Sequence, residues 1–216
     1  MSKYNVVLFD LDGTLLDTSE GIYNSVRFAE KNMGFEPLSQ EELKSFIGPP
    51  PVMSYKHNYG VSKDIAMEAT KYHRQYGFER GVYEARIYDG IPGLLTRLKS
   101  QGIKLGVCTL KRQDVTEKVL KHFHLYHFFD AVVGINDDES LTKADTINIA
   151  LDNLSHNDRA DVVLIGDSMY DAEGAEGAGI NFIGALYGFG FNETDELGFC
   201  SINNIRELMH LFRNAN

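Results

Sequence analysis

Two aspartates stand one residue apart, directly after a short apolar run. The stretch VVLFDLDGT places Asp10 and Asp12 after Val6–Phe9, and a glycine and a threonine follow. Carboxylates this close repel one another and need a cation to balance them. Because aspartate is also common in turns and at N-caps after a strand, the pair alone is weak evidence of a catalytic or metal site.

Other polar residues also follow apolar runs or begin the next helix. They are Thr109 after Leu105–Cys108, Lys143 after Phe129–Val133, Asp167 and Ser168 after Val162–Ile165, and Asp171 one helical turn later. In an open α/β sheet, functional groups gather beyond the carboxyl ends of the strands. Clustered carboxylate oxygens suit Mg²⁺, which usually keeps several waters and also binds phosphate. The spacing therefore predicts a site for Mg²⁺ and phosphate at one edge of a sheet.

The rest of the chain alternates between short apolar runs and helical patterns. Runs that are apolar on both faces are typical of parallel strands covered by helices, and Asn181–Leu186 is a weaker fifth run. Helical spacing of apolar residues occurs in 94–98, 115–123, 147–154, 172–178 and 205–212. This alternation predicts an α/β fold with a doubly wound, Rossmann-like parallel sheet.

Residues 17–85 interrupt the alternation with helical patterns and no clear strand. Asp17 with Glu20, and Ser39 with Glu42, have the spacing of capping boxes at helix starts. We therefore predict a helical cap domain at 17–85, inserted into an α/β core domain of residues 1–16 plus 86–216. We expect the cap to close over the carboxyl ends of the strands and exclude water.

Composition excludes some classes of protein. The chain has 216 residues, a formal net charge of −10 and a pI near 5.1, so a nucleic-acid polymer is not the expected partner. No apolar run is long enough to span a membrane, and the first residues lack the apolar core of a signal peptide. Two cysteines do not make a disulfide framework. We expect a cytoplasmic protein, monomeric or homodimeric, that binds a small phosphorylated metabolite.

The motifs resemble a known family. DLDGT at 10–14, CTLK at 108–111, LTKADTI at 141–147 and GDSMYDAEGA at 166–175 resemble the four signature motifs of the haloacid-dehalogenase superfamily. IGPPPVMSY at 47–55 resembles the cap loop of its phosphoglycolate-phosphatase-like and 5′-nucleotidase-like members. The resemblance implies a Mg²⁺-dependent phosphatase that hydrolyses small phosphate monoesters through an aspartyl-phosphate intermediate.

The resemblance also assigns catalytic roles. Asp10 matches the nucleophile that attacks phosphorus, and Asp12 matches the general acid and base that serves the leaving oxygen and then water. Thr109 would hydrogen-bond a phosphoryl oxygen, and Lys143 would neutralise charge on phosphate and nucleophile. In many relatives a small polar residue follows the threonine, whereas here Leu110 follows it.

The same resemblance predicts the metal and substrate contacts. Asp10, the backbone carbonyl of Asp12 and Asp167 would bind Mg²⁺, and Asp171 would support that ligand set or a metal-bound water. Candidate substrate contacts are Gly48, Pro49 and Ser168. Cap arginines could bind a carboxylate or second phosphate, and cap tyrosines could stack a nucleobase or simply fill the cap core. These candidates are Arg27, Arg74 and Arg80, and Tyr55, Tyr59, Tyr72, Tyr76 and Tyr83.

The substrate stays open between phosphoglycolate and a nucleoside 5′-monophosphate. A sugar-phosphate phosphatase or phosphomutase would use the same core and differ mainly in the cap. A dehalogenase would not need Asp12, and a phosphonatase would need a dedicated cap lysine. A non-catalytic protein that binds a phosphorylated ligand is a further alternative, although neither Asp10 nor Lys143 is lost.

Overall fold

The chain forms two compact units. The computed structural model describes residues 4–136, 140–191 and 198–212. Residues 1–16 with 87–216 form one unit, here named the core unit, and residues 17–86 form the other, the helical unit. Among the described residues, no helix is long and apolar enough to cross a membrane.

The core unit is built on a parallel sheet. The strands in chain order are β1 (Val6–Phe9), β2 (Leu16–Asp17), β3 (Arg86–Ile87), β4 (Lys104–Arg112), β5 (Ala131–Ile135), β6 (Val162–Gly166), β7 (Asn181–Ala185) and β8 (Cys200–Ile202). Six of them form one sheet in the order β5-β4-β1-β6-β7-β8, and all the pairings in it are parallel. The short strands β2 and β3 pair with each other. The predicted doubly wound α/β class is confirmed.

The helices divide between the two units. In chain order they are α1 (Ser19–Met33), α2 (Gln40–Lys44), α3 (Pro51–Tyr59), α4 (Lys63–Glu79), α5 (Ile91–Ser100), α6 (Gln113–His122), α7 (Lys143–Asn153), α8 (Met169–Gly177) and α9 (Ile205–Leu211). Single 3₁₀ turns lie at Gly81–Tyr83, Tyr126–Phe128 and Arg159–Asp161. The first four helices belong to the helical unit, so residues 17–85 contain the helices that the apolar spacing predicts.

The register of the central strands aligns the predicted site residues. Phe9 at the end of β1 pairs with Val107 on one side and Ile165 on the other. All four residues of β1 are completely buried, which fits a strand with apolar neighbours on both faces. The residues that follow these three positions therefore lie at the same edge of the sheet.

A buried core between β-strands and two helices fixes that edge. Side chains of β1 and β6 pack with those of α7 and α8, including Leu8, Ile147, Leu151, Leu164 and Ala175. Burying a large aliphatic side chain contributes about 1.5–3 kcal/mol. This packing holds the first turns of α7 and α8 next to the ends of β1 and β6.

The helical unit has its own apolar core. Val26, Leu43, Phe46, Tyr55 and Ala69 belong to one buried cluster contributed by its four helices. Aromatic pairs strengthen it, since the rings of Phe46 and Tyr55 meet edge to face with centroids 4.8 Å apart. The unit thus packs around side chains from all of its helices rather than around a strand.

One of the two predicted capping boxes is present and the other is wrong. Ser39 and Glu42 make the reciprocal bonds of a capping box at the start of α2. At α1 the N-cap is Thr18, whose side chain makes no cap bond. Asp17 instead accepts hydrogen bonds from the backbone and hydroxyl of Ser19, which forms a local turn before the helix.

Two strand predictions differ from the structure in their bounds, and one strand was not predicted. β5 begins at Ala131, because the chain before it forms the 3₁₀ turn Tyr126–Phe128. β4 extends past Cys108 to Arg112, with a shift of register against β5 between these two residues. β8 was not expected, because Cys200–Ile202 is short, has two exposed residues and is not an apolar run.

Candidate active site

Asp10 lies at the centre of the carboxyl edge. Its backbone N–H donates to the Ile165 carbonyl at 2.9 Å, which continues the β1–β6 pairing by one residue. Its side chain is almost fully buried and accepts a hydrogen bond of 2.6 Å from Lys143 Nζ. Burial raises the pKa of the Asp10 carboxyl to about 7; nearby Asp171 and Asp12 add to this, and Lys143 opposes it.

Lys143 joins two carboxylates. It is the first residue of α7, whose start is fixed by a capping box between Thr142 and Asp145. Nζ lies 2.6 Å from Asp10 Oδ1 and 2.5 Å from Asp171 Oδ1, with the lysine side chain only 5% exposed. Burial lowers the pKa of Lys143, but the attraction of the two carboxylates outweighs it and raises the pKa overall.

A glycine gives Lys143 its path to the site. A Cβ atom added to Gly174 of α8 would lie 2.4 Å from Lys143 Cγ. The side chain of any other residue there would therefore displace the lysine stem. The close contact of α7 with α8 is thus the feature that brings the ammonium group to Asp10.

Asp167 and Asp171 follow β6. Asp167 is buried, and burial together with repulsion from Asp171 and Asp10 raises its pKa well above the usual value. Asp171 Oδ2 accepts from the backbone and hydroxyl of Ser168, at 3.1 Å and 2.6 Å. The Ser168 hydroxyl, predicted as a substrate contact, therefore has a partner in the capping box of α8.

The carboxylates fit a hard divalent cation. Asp10, Asp167 and Asp171 are buried, and each offers a ligand atom within 4.8 Å of the other two. The side chain of Asp12 raises the number of carboxylates at the site to four. Two lysines, Lys143 and Lys111, form ion pairs with these carboxylates. Ionised together, they would leave two negative charges, which one Mg²⁺ would balance.

Asp12 is bonded by a lysine that sequence reasoning did not assign. Lys111 Nζ donates to Asp12 Oδ2 at 2.7 Å, and both side chains are less than one fifth exposed. Asp12 Oδ1 is buried and has no hydrogen-bond partner among the described residues. The signal in the sequence was the lysine itself, two residues after Thr109 in the second motif.

Thr109 lies inside β4 rather than after it. The residue is buried, within the stretch of β4 where the pairing with β5 shifts register. Its hydroxyl oxygen accepts from the backbone N–H of Lys111 at 3.3 Å, so the hydroxyl proton stays available to donate. Thr109 and Lys111 are therefore in contact within the irregular end of β4.

A second unpredicted contact comes from the loop after β7. The backbone N–H of Phe189 donates to Asp167 Oδ2 at 2.7 Å. Glycines on both sides, Gly188 and Gly190, and Gly13 of the first motif pack against Asp167. The alternating glycines and aromatics of YGFG after the fifth apolar run were the available signal.

The predicted cap contacts belong to the helical unit. Gly48 has a left-handed backbone with φ 102° and, with Pro49, lies in the turn before α3. Arg27, a candidate for binding a substrate anion, is instead bonded to Glu30 and to the Leu38 carbonyl. The guanidinium therefore binds groups of its own unit in this structure, and its binding of a substrate anion stays a prediction.

Most of the cap tyrosines serve the helical unit itself. Tyr55 is fully buried, and the hydroxyls of Tyr59 and Tyr76 donate to Glu30 and Glu84. Tyr72 packs against the buried cluster, and Tyr83 is 47% exposed. The structure therefore favours the cap-core role for four of these five rings over the stacking of a nucleobase.

Comparison with known proteins identifies the family. The model of the family described as haloacid dehalogenase-like hydrolase matches residues 7–185. The chain belongs to the haloacid dehalogenase-like hydrolases. This match confirms the recognition from sequence. Residues of the other three motifs lie at the two aspartates of the first, since Lys111 bonds to Asp12 and Lys143 bonds to Asp10 beside Asp167 and Asp171.

Two relatives of this haloacid dehalogenase-like hydrolase are named for phosphate hydrolysis. The 5′-nucleotidase of Pseudomonas aeruginosa is 39% identical over 90% of this chain and 87% of its own. The pyrophosphatase PpaX of Bacillus mycoides is 30% identical over 82% of this chain and 81% of its own. The family and these relatives make the protein a hydrolase of the phosphatase type.

A solved structure has the same fold over almost the whole chain. It is described as a "predicted phosphatase from Clostridium acetobutylicum". The TM-score is 0.88, with 38% identity, over 96% of this chain and 97% of the other. A parallel sheet with a helical insertion is therefore the shared architecture of this hydrolase and its relative.

Proposed function

We propose that the protein is a Mg²⁺-dependent phosphatase that hydrolyses small phosphate monoesters through an aspartyl-phosphate on Asp10. The observation that carries the proposal is the bridge of one buried ammonium group, Lys143 Nζ, between Asp10 and Asp171. An ion pair with only a structural role would not require a third carboxylate, that of Asp167, close enough to bind the same metal ion as the other two. Phosphoryl transfer depends mainly on positioning and electrostatics, which this arrangement supplies.

Each residue near Asp10 has a role in the proposed reaction. The Asp10 carboxylate attacks phosphorus, the bond to the leaving oxygen breaks, and Asp12 gives that oxygen a proton. Asp12 then takes a proton from water as the water attacks the aspartyl-phosphate, which frees phosphate and Asp10. Lys143 and the Thr109 hydroxyl hold phosphoryl oxygens and offset their charge.

The metal site is proposed at the same carboxylates. Asp10, the Asp12 backbone carbonyl and Asp167 would hold Mg²⁺, with Asp171 supporting them from its bonds to Ser168 and Lys143. The bound cation would offset the negative charge of the phosphoryl group and of the carboxylates around it. The burial of three carboxylates with so few balancing cations is the feature that supports this assignment.

We propose a nucleoside 5′-monophosphate as the leading substrate, with phosphoglycolate as the second. The relative from Pseudomonas aeruginosa named 5′-nucleotidase supports the first, since it is 39% identical over most of both chains. Arg27 would have to leave Glu30, its partner in the helical unit, to bind the carboxylate of phosphoglycolate. We propose that the helical unit selects the leaving group and that the protein is cytoplasmic.

The chemistry is tested with a chromogenic phosphate ester. We expect hydrolysis with Mg²⁺, little or none with EDTA, and none for Asp10→Asn. A phosphate label that is transferred to the wild type and released by hydroxylamine would identify the acyl-phosphate. Asp152→Asn, an exposed position on α7, is the matched control and should keep wild-type activity. Full activity in Asp10→Asn would contradict the mechanism.

The substrate is tested by measuring kcat/KM side by side. The panel contains nucleoside 5′-monophosphates, phosphoglycolate, β-glucose 1-phosphate and inorganic pyrophosphate, the last because of the relative named PpaX. We expect the nucleotides to be hydrolysed fastest. Much faster hydrolysis of a sugar phosphate, or isomerisation of β-glucose 1-phosphate, would overturn the substrate assignment and leave the chemistry at Asp10 intact. Binding of these esters without turnover would favour the non-catalytic alternative.

A further inference from the structure

The loop after β7 contacts Asp167 through its backbone. The Phe189 N–H donates to Oδ2 of the carboxylate at 2.7 Å. An amide hydrogen bond to one oxygen restricts the rotation of the carboxylate. The partners of metal ligands commonly set ligand orientation and thereby metal affinity.

Glycines allow the backbone to come this close. A Cβ atom on Gly188 would lie 2.3 Å from Asp167 Cβ and 2.5 Å from Oδ2. A Cβ atom on Gly13, which has φ +76°, would lie 2.0 Å from Asp167 Oδ2. A Cβ atom on Gly190 would lie 2.7 Å from the Asp167 carbonyl oxygen. Side chains at these positions would push Asp167 out of place, so the backbone of both loops can approach Asp167 only because these residues are glycines.

The same loop is tied to the first motif. The Tyr187 hydroxyl donates to the Thr14 carbonyl at 2.9 Å, and its ring meets that of Tyr88 edge to face with centroids 5.0 Å apart. The ideal Cβ position of Gly188 lies 2.6 Å from the Gly13 carbonyl. The loop that carries the Phe189 amide is therefore fixed directly to the segment that carries Asp10 and Asp12.

We propose that residues 187–190 are a positioning segment for the cation site. The segment holds Asp167 so that one oxygen is bonded to protein and the other is presented to Mg²⁺. Its residues do not touch the reacting atoms; they act through Asp167. The inference rests on the proposed metal site and adds the residues that determine its affinity and selectivity.

The test is calorimetric titration of the full chain with Mg²⁺ and with Ca²⁺, without substrate. In Gly188→Ala we expect Mg²⁺ affinity to fall by about tenfold or more. Ca²⁺ affinity should fall less, because Ca²⁺ accepts irregular geometry whereas Mg²⁺ requires a near-octahedral one. A merely structural glycine would lower both affinities alike or neither.

Two further variants complete the test. Gly198→Ala is the matched control, because no atom of the described residues, its chain neighbours aside, lies within 4 Å of its added Cβ, and it should bind both ions as the wild type does. If Gly188→Ala does not fold, Tyr187→Phe decides, since it removes only the bond to Thr14; we expect Mg²⁺ affinity to fall roughly fivefold.

The outcomes separate this inference from the proposed function. Mg²⁺ affinity within twofold of the wild type in folded Gly188→Ala, or equal losses for both ions, would overturn the role of the segment. Asp167→Asn gives the reference for the metal site. If Asp167→Asn bound Mg²⁺ like the wild type, the proposed metal site itself would fail, and this inference with it.

Discussion

Lys111 Nζ lies 2.7 Å from Asp12 Oδ2 and joins β4 to the loop after β1. Lys143 makes the corresponding bond to Asp10, so each of the two aspartates of the first motif is paired with its own lysine. Lys143 is almost fully buried, whereas Lys111 is partly exposed. The difference indicates that Lys111 orients Asp12 at the more open side of the site.

Replacing Lys111 should affect the proton transfer that we assign to Asp12. In Lys111→Met, the Asp12 carboxylate loses the bond that orients it. Alkyl phosphates need a proton on the leaving oxygen, so kcat for these esters should fall by about 100-fold. A factor of this size is at the low end of what general acid catalysis contributes to a rate. p-Nitrophenyl phosphate has an acidic leaving group and should lose much less. Measuring kcat for both esters checks this.

The control for that experiment is Lys121→Met, which removes an exposed lysine paired with Glu117 on α6. It should hydrolyse both esters at the wild-type rate. An equal loss for the two esters in Lys111→Met would contradict an orienting role, and a rise in KM alone would show that the lysine binds substrate instead.

Lys143→Met should abolish activity and make stability depend on added cation. Removing the ammonium leaves Asp10 and Asp171 buried without their partner, which typically costs about 3–5 kcal/mol. Mg²⁺ should restore part of this, because it binds the folded protein. Thermal unfolding with Mg²⁺ and with EDTA measures both effects. Lys71→Met, at an exposed pair on α4, should change neither stability nor its Mg²⁺ dependence.

Glu30 should be important for the stability of the helical unit. It is buried and accepts hydrogen bonds from Arg27, the Leu38 N–H and the Tyr59 hydroxyl. Glu30→Gln removes the charge that balances Arg27 and turns an acceptor into a donor, so we expect a loss of about 3 kcal/mol.

Urea unfolding is the measurement for Glu30→Gln. Glu41→Gln, which breaks the exposed pair with Lys44, is the matched control and should cost less than about 1 kcal/mol. Similar losses in the two variants would show that the buried network contributes no more than a surface ion pair.

Asp130 should make stability fall in acid. Burial alone would raise the pKa of its carboxyl, but the hydrogen bonds from Lys99 Nζ and the Leu105 N–H lower it overall. A lowered pKa in the folded state stabilises the protein above the unfolded value of about 3.9, and this contribution is lost as the pH falls below it. The difference in unfolding free energy between wild type and Asp130→Asn should therefore shrink from about pH 6 to about pH 3.

Urea titrations of both proteins across this pH range give that difference directly, since other titrating groups cancel. At neutral pH we expect the unfolding free energy of the wild type to exceed that of Asp130→Asn by about 1 kcal/mol. A difference that stays constant with pH would contradict the assignment of the lowered pKa to Asp130.

Strands and helices were predictable where the local sequence pattern was strong. The runs Val6–Phe9 and Val162–Ile165 are apolar throughout, and the structure buries them on both faces as parallel strands. Helix α5 begins beside Pro92 as expected, since proline suits a first turn. Asp17 misled the prediction of a helix start, because aspartate can bond to a following N–H in a turn as well as in a capping box.

The sequence by itself determined which chemistry is available. Asp10, Asp12, Thr109, Lys143 and Asp167 could be selected because they stand near the ends of apolar runs or at the start of the following helix, and parallel strands end at one edge of a sheet. That step needs only the order of elements and the direction of the chain.

Only the tertiary structure decided which group bonds to which. The Lys111–Asp12 bond and the Phe189 amide on Asp167 join residues 99 and 22 positions apart, and no local pattern specifies such partners. The close approaches at Gly13, Gly174 and Gly188 depend on atoms of residues far away in the sequence in the same way. Spacing along a chain sets the face and edge on which a side chain lies, whereas the packing of whole elements sets distances between side chains.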